Sequence, residues 1–399
     1  MELRDQETGI VVDDAFPCSS AGDIRRVGDD RYEIGFKPEE IPGWFQDLLN
    51  ELFDGAGVPK EYMAHVRVAN TGQSARCVTL RFLLSPKGKN YMFPPWWIHK
   101  GDGWAWVATG DTDMQFEDGY VDLSVTVAPG QSVRVASAPY DTPEGVRDKC
   151  IQLADRSPIF SYREIGKSAQ GRAIPVLETP ARPLKLLVDA SMQSCEPVSW
   201  GILHVAHWLT IPSARARSLL DQVQFSLMPM TNPDGVAEGR SVTNAMGEVP
   251  KFGINDLVEG TRPAPRETAA LWDYLMEFKP DASLEVHAHF TRDGFTRSIG
   301  MHDKASMPKH LQAKAAVIEE ALFTNYHADP LDNRKVLIDP REPEHNVYGD
   351  RYVSEKVGAI RVFLQAVPDS LESHAADVRE MVETIANALV DWKKGGSKR

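Results

Sequence analysis

The chain reads as an N-terminal all-β sandwich followed by an α/β domain whose central mixed sheet is flanked by helices, and two patterns carry that reading. Over residues 1–140, short β-branched and aromatic runs are separated by turn residues, which is the spacing of a sandwich. Over residues 141–399, short apolar runs alternate with segments of helical length, which argues for a mixed or mainly parallel sheet covered on both faces. With 399 residues and 42% hydrophobic side chains, the chain can fill two cores.

In the first part the expected strands are Tyr62–Asn70, Ala75–Leu84, Trp104–Ala108, Tyr120–Val127 and Ser132–Ala138, punctuated by Thr71-Gly72, Pro86-Lys-Gly88, Gly101-Asp-Gly103 and Pro129-Gly130. Ile41–Phe53 interrupts them with a helical stripe of Trp44, Leu48, Leu49 and Leu52. The aromatic tract Tyr91–His99 is expected to seal the sandwich against the second domain. Proline-punctuated Ala138–Pro143 marks the boundary, and Glu144–Leu153 should be the next helix. Beyond it come strands at Leu184–Val188, Gln224–Met228, Ala282–Val286 and Ile360–Leu364, with helices at 197–210, Pro265–Phe278, Pro308–Tyr326 and Ala375–Lys394.

Composition removes several function classes. A formal charge of −13 argues against a nucleic-acid surface, although local basic clefts remain compatible with it. No apolar run approaches membrane-spanning length, and Met1-Glu-Leu-Arg-Asp-Gln lacks the basic and apolar segments of a secretion signal. Cys18, Cys77, Cys150 and Cys195 show no paired spacing, so a reducing, cytoplasmic setting is expected.

Two stretches concentrate chemistry. Leu186–Val188 reads as a buried strand that runs into a loop holding Glu196, and Leu284-Glu-Val-His287 alternates toward a second strand end. In open α/β sheets ligands bind at that edge. A carboxylate and an imidazole on neighbouring loops are two of the three protein ligands that a catalytic zinc requires.

Five segments occur in an order and spacing that resembles the zinc carboxypeptidase family, over most of the chain. They are Ile165–Leu177, the Glu196 loop, Met230-Thr-Asn-Pro-Asp-Gly235, Asn255 and Val286-His-Ala-His289. The first 140 residues look similar to the sandwich found ahead of the catalytic domain in the cytosolic carboxypeptidase branch. The resemblance implies a zinc cofactor, peptide-bond hydrolysis, and Gln193, Glu196 and His287 at the metal positions, with Gln193 standing where the family has histidine. It also implies Gln365 at the position of the general-base glutamate, because Gly349–Gln365 matches that context. Asn255 and Asp256 fall where the family binds a terminal carboxylate with an Asn-Arg pair, Arg240 is nearest to its carbonyl-polarising arginine, and Tyr348 lies near its mobile tyrosine.

Each departure has a chemical meaning. A glutamine oxygen is a neutral, hard donor where zinc prefers nitrogen or sulfur. An amide at position 365 can neither take a proton from water nor return one. Asp256 in place of arginine disfavours a carboxylate-ended ligand and favours an amine, unless Arg240, Arg262 or Arg266 supplies a fork. His289 is a candidate substitute ligand, His204 and His207 read as packed helix residues, Glu285 as a residue that orients its neighbour, and Tyr352 and His345 as minor candidates. Two functions follow: a carboxypeptidase-like metallohydrolase of altered site that cleaves a peptide or small, amine-bearing amide, or an inactive carboxypeptidase-fold protein that binds a peptide or small ligand. Neither involves nucleic acid or a membrane.

Overall fold

The computed structural model describes all residues except 54–62, 64, 84–96, 101–105, 109–113, 118, 289–297, 328–334, 340–348, 367–369 and 397–399. In chain order the first part holds β1 (Glu2–Asp5), β2 (Ile10–Asp13), β3 (Ile24–Gly28), β4 (Arg31–Ile34), α1 (Gly43–Phe53), β5 (Val66–Asn70), β6 (Arg76–Leu83), β7 (Trp97–Lys100), β8 (Trp106–Ala108), β9 (Met114–Glu117), β10 (Tyr120–Val127) and β11 (Ser132–Ala136). They form one sheet of order β1-β2-β5-β11-β7-β8 and another of order β3-β4-β6-β10-β9. Pairing is antiparallel apart from β4 with β6.

Alternation explains why these segments are strands. Val66 and Val68 of one sheet, and Val78, Leu80 and Phe82 of the other, point every second side chain into a common apolar cluster. Trp97, from the aromatic tract, is wholly buried there, while Tyr91–Trp96 lie outside the described residues. The early strands escape a sequence reading because they are short, and β3 is also polar: Ile24-Arg-Arg-Val-Gly28 buries only its first residue.

The helix expected after the boundary is α2 (Pro143–Arg156), which starts one residue earlier than the sequence suggested and runs longer. Thr142 caps it by accepting the Gly145 N–H at 3.0 Å, and Pro143 sits at the first turn, where its missing N–H costs nothing.

The second part is built on β12 (Ser161–Lys167), β13 (Ala173–Glu178), β14 (Leu184–Ala190), β15 (Val223–Met228), β16 (Ala282–Ala288), β17 (Ser298–His302), β18 (Lys335–Asp339) and β19 (Ile360–Ala366). Their order is β12-β13-β15-β14-β16-β19-β17-β18. The four central strands β15, β14, β16 and β19 run parallel, and antiparallel pairs flank them, so the sheet is mixed as expected. Helices α3 (Ser199–Thr210), α4 (Ala214–Leu220), α5 (Pro233–Ala237), α6 (Gly253–Glu259), α7 (Arg266–Phe278), α8 (Lys309–His327) and α9 (Leu371–Gly396) surround it. The hairpin β12–β13 and the strands β17 and β18 were not expected from the sequence. Their segments are short, and β17 carries a glycine in mid-strand.

Parity divides the central strands into two faces. Leu186, Val188, Leu284, Val286, Val362 and Leu364 pack in one apolar cluster with Ile202 and Val205 of α3, Ile318 of α8 and Ile385 of α9. The opposite parity carries Asp189 on β14, Ser283, Glu285 and His287 on β16, and Arg361, Phe363 and Gln365 on β19. Register aligns these rows: Asp189 pairs with Glu285, Glu285 with Phe363, and His287 with Gln365.

Candidate functional site

The loop after β14 begins with a strained residue. Ser191 has φ of 58°, in the left-handed region that non-glycine residues rarely adopt, and the neighbouring loop staples it. The N–H groups of Thr231 and Asn232 donate to the carbonyls of Ala190 and Ser191, and Asn232 Nδ2 donates to Met192 O at 3.3 Å. This bends the chain into a turn in which the Glu196 N–H donates to Gln193 O at 3.0 Å, so both expected metal positions share one turn. The Asn232-Pro-Asp-Gly235 motif is architectural. Asn232 caps α5 through the Gly235 N–H, and buried Asp234 accepts from Ser168 Oγ, the Gln170 N–H and Arg172 of the β12–β13 hairpin.

Glu196 and His287 meet directly: Nδ1 of the imidazole lies 2.5 Å from Glu196 Oε2, and both side chains are buried. The other ring nitrogen, Nε2, is 2.9 Å from Glu285 Oε1. Burial opposes the charged ring, but the carboxylates of Glu196 and Glu285 outweigh it and raise His287 to about 9. The two carboxylates favour the protonated ring, which bonds to Glu196 through Nδ1 and faces Glu285 with Nε2.

Charges missed in the sequence complete the cluster. Lys251 Nζ is bonded to Glu285 Oε2 and lies 3.4 Å from His287 Nε2. Arg361 Nη2 donates to Glu285 Oε2 at 2.6 Å, while its Nε is 3.1 Å from Asp350 and its Nη2 is 4.0 Å from Asp189. Burial alone would raise Glu285, yet Arg361, Lys251 and His287 hold its carboxyl well below the usual range. Asp189 faces the same guanidinium from farther away, and burial pushes it up to about 6; Asp350 is raised for the same reason. Distance decides which acid holds the cation, and Glu285 wins. The signal available in the sequence was one charged residue, Arg361, inside the apolar run Ile360–Leu364. Lys251, between Pro250 and Phe252, gave none.

Gln365 stands beside His287 across the β16–β19 pairing, and its Nε2 is buried with no hydrogen-bond partner among the described residues. The remaining expected residues lie elsewhere. Asp256, in α6, is buried and accepts from Thr261 Oγ1 and Arg262 Nε, each at 2.8 Å, while the Arg262 guanidinium stacks on Trp44 at 3.6 Å. Its charge is thus matched within the chain. Asn255 precedes it on the same helix. Arg240 donates to Glu238 at 2.7 Å and to Thr243 Oγ1 at 3.0 Å. Tyr352 donates to Glu259 at 2.6 Å. Tyr348, His345 and His289 fall outside the described residues. His204 and His207, expected to be packed, are exposed, because Ile202, Val205, Ala206 and Leu209 take the inward side of α3.

The donor set does not complete a catalytic zinc site. Glu196 is hydrogen-bonded to the imidazole Nδ1, the imidazole Nε2 faces Glu285 at 2.9 Å, and the third position is a neutral amide, whereas a catalytic zinc needs three deprotonated or lone-pair ligands and one open position. Among the described residues no group of three or more His, Cys, Asp or Glu side chains is arranged to hold a metal ion.

With that geometry in view, the family model described as zinc carboxypeptidase matches residues 146–253. Among solved structures the chain is similar to a metallo-carboxypeptidase from Burkholderia cenocepacia, with 15% identity and a TM-score of 0.73 over 96% of this chain and 100% of that one. It is equally similar to a metallo-carboxypeptidase from Pseudomonas aeruginosa solved with (2-guanidinoethylmercapto)succinic acid, at 15% identity and TM-score 0.73 over 96% and 99% of the two chains. At such identity the likeness is one of fold, and it spans the N-terminal sheets as well as the α/β part. No curated protein matches this chain in sequence.

Proposed function

We propose that this chain is a carboxypeptidase-fold protein that binds a peptide or small amide ligand on the polar face of its central sheet without activating water there. The observation that carries this reading is Gln365, in register with His287 and with a buried Nε2 that has no partner among the described residues. An orphaned buried N–H costs about 1–3 kcal/mol, and a ligand carbonyl or carboxylate oxygen would satisfy it. The same amide has no proton to exchange near neutrality. Loss of a general base lowers a rate by a factor of about 10² to 10⁴.

The charge pattern supports the same reading. Glu196 and Glu285 are already matched by His287, Lys251 and Arg361, which reduces what a divalent cation would gain by entering. A metallohydrolase of altered site is the competing reading, favoured by the placement of Gln193 and Glu196 on one turn. We also assign residues 1–140 to a sandwich domain and 141–399 to the carboxypeptidase-like domain, the arrangement of the cytosolic carboxypeptidase branch. The four unpaired cysteines support a cytoplasmic setting.

The test uses a short acetylated peptide with a free carboxylate and its amidated counterpart, each with and without added zinc or a chelator. Melting temperature and peptide integrity are followed together. One peptide should raise the melting temperature by mass action, stay intact, and act equally in chelator, and Gln365→Leu should abolish the shift. Cleavage that the chelator stops would establish the metallohydrolase instead.

A further inference from the structure

The N-terminal part reaches into the loops that frame this site through one buried carboxylate. Glu39 lies between β4 and α1, is 5% exposed, and receives a fan of donors from residues 241–243. The Ser241 N–H donates to Oε2 at 2.8 Å, and the Val242 and Thr243 N–H groups donate to Oε1 at 3.3 and 2.9 Å. The hydroxyls of Ser241 and Thr243 add two more bonds. Successive amides turned onto one anion form a nest, whose geometry depends on the charge at its centre.

The clamped segment passes its position on. Ser241 O accepts the Cys195 N–H at 2.8 Å, next to Glu196, and Thr243 O accepts from Asn232 Nδ2 at 3.3 Å, the side chain that also holds Met192 O. On the other side, Phe45 of α1 packs with Val242, Val249 and Phe252, its ring 5.0 Å from that of Phe252. Lys251, the cation beside His287 and Glu285, is flanked by Pro250 and Phe252 in this packed stretch.

We propose that Glu39 is a positioning residue for the site: it fixes the 241–243 loop, which sets the Gln193–Glu196 turn against His287. Glu39 touches neither Glu196 nor His287 in this chain of contacts and acts through backbone. The inference rests on the proposed role of the polar face, but its test does not need a ligand. Glu39→Gln keeps the shape and turns an N–H toward backbone donors that require an acceptor, so one or two of the three backbone bonds become clashes of donor with donor, while the hydroxyls can rotate to accept.

The measurement is amide hydrogen exchange and imidazole NMR on the full chain. In Glu39→Gln the Cys195 amide should exchange about 10- to 100-fold faster, the fold-change of losing one buried partner, and the His287 ring signals should shift, while amides of α8 and α9 keep wild-type protection. Glu39→Asp should restore part of the Cys195 protection because the charge returns. Unchanged Cys195 exchange and His287 signals in folded Glu39→Gln would overturn the proposal. Should Glu39→Gln fail to fold, Ser241→Ala removes one hydroxyl donor to Glu39 and leaves the Arg240–Thr243 bond in place, and it must give the same local pattern in weaker form; unchanged exchange there would overturn it equally. Absence of peptide binding in the wild type, with these exchange effects present, would count against the proposed function alone.

Discussion

The two faces of the central sheet are made by the same three strands and differ in every respect that matters. Under α3, α8 and α9 the even-numbered residues of β14, β16 and β19 are aliphatic, and their stabilisation comes from area removed from water. On the odd-numbered side the same strands bury Asp189, Glu285, His287 and Arg361, whose solvation has been given up in exchange for one another. A side chain's neighbour in sequence is therefore its opposite in chemistry. The lesson is that a buried charged face need not exist for stability, because a hydrophobic face was available to the same backbone.

The largest expected effect breaks the polar face. Glu285→Ala leaves Arg361, Lys251 and His287 without their shared acceptor, and urea unfolding should show a loss of about 3–5 kcal/mol. Its sequence neighbour sharpens the contrast: Leu284→Ala opens a cavity on the apolar face and should cost about 3 kcal/mol.

A buried histidine without carboxylates offers a comparison from outside the sheet. His65 is 3% exposed, donates from Nδ1 to Cys18 O at 2.7 Å, and stacks on Tyr140 at 4.7 Å between ring centroids. Burial pushes it down to about 4. The unfolded chain then binds the extra proton first, so the stabilisation is complete above about pH 6.5 and is lost as pH falls toward 4, by up to about 3 kcal/mol. In His65→Gln that part of the pH slope should vanish; an identical slope would show that other groups supply it. The smallest effect is Gln365→Leu, which removes an Nε2 without a partner among the described residues and should leave stability unchanged or raise it by about 1 kcal/mol. A loss of several kcal/mol would mean that the amide is structurally engaged and not reserved for a ligand.

Much of this architecture was legible in the sequence because it follows from periodicity. The alternation Leu284-Glu-Val-His287 places Glu285 and His287 on one face, and helical-length segments after each strand give a sheet covered on both sides. The meeting of Glu196 with His287, and of His287 with Gln365, also follows from placing strand ends at one edge. Lys251 was illegible because its partner, Glu285, is distant in sequence and nothing local marks the pairing. Asp256 looked like a free charge only because Arg262 returns to it through a turn, with Trp44 arriving from the first part of the chain. Local pattern reports which face a residue occupies, and long-range pairing decides what charge survives there.

Glu196 and Glu285 are engaged by His287, Lys251 and Arg361, and this leaves zinc no adequate set of ligands. Equilibrium dialysis of the full chain against micromolar zinc, followed by metal analysis, tests it most directly. Far less than one zinc ion per chain is expected, with bound zinc increasing in the double variant Gln193→His and Gln365→Glu. One tightly held zinc ion per wild-type chain would contradict it.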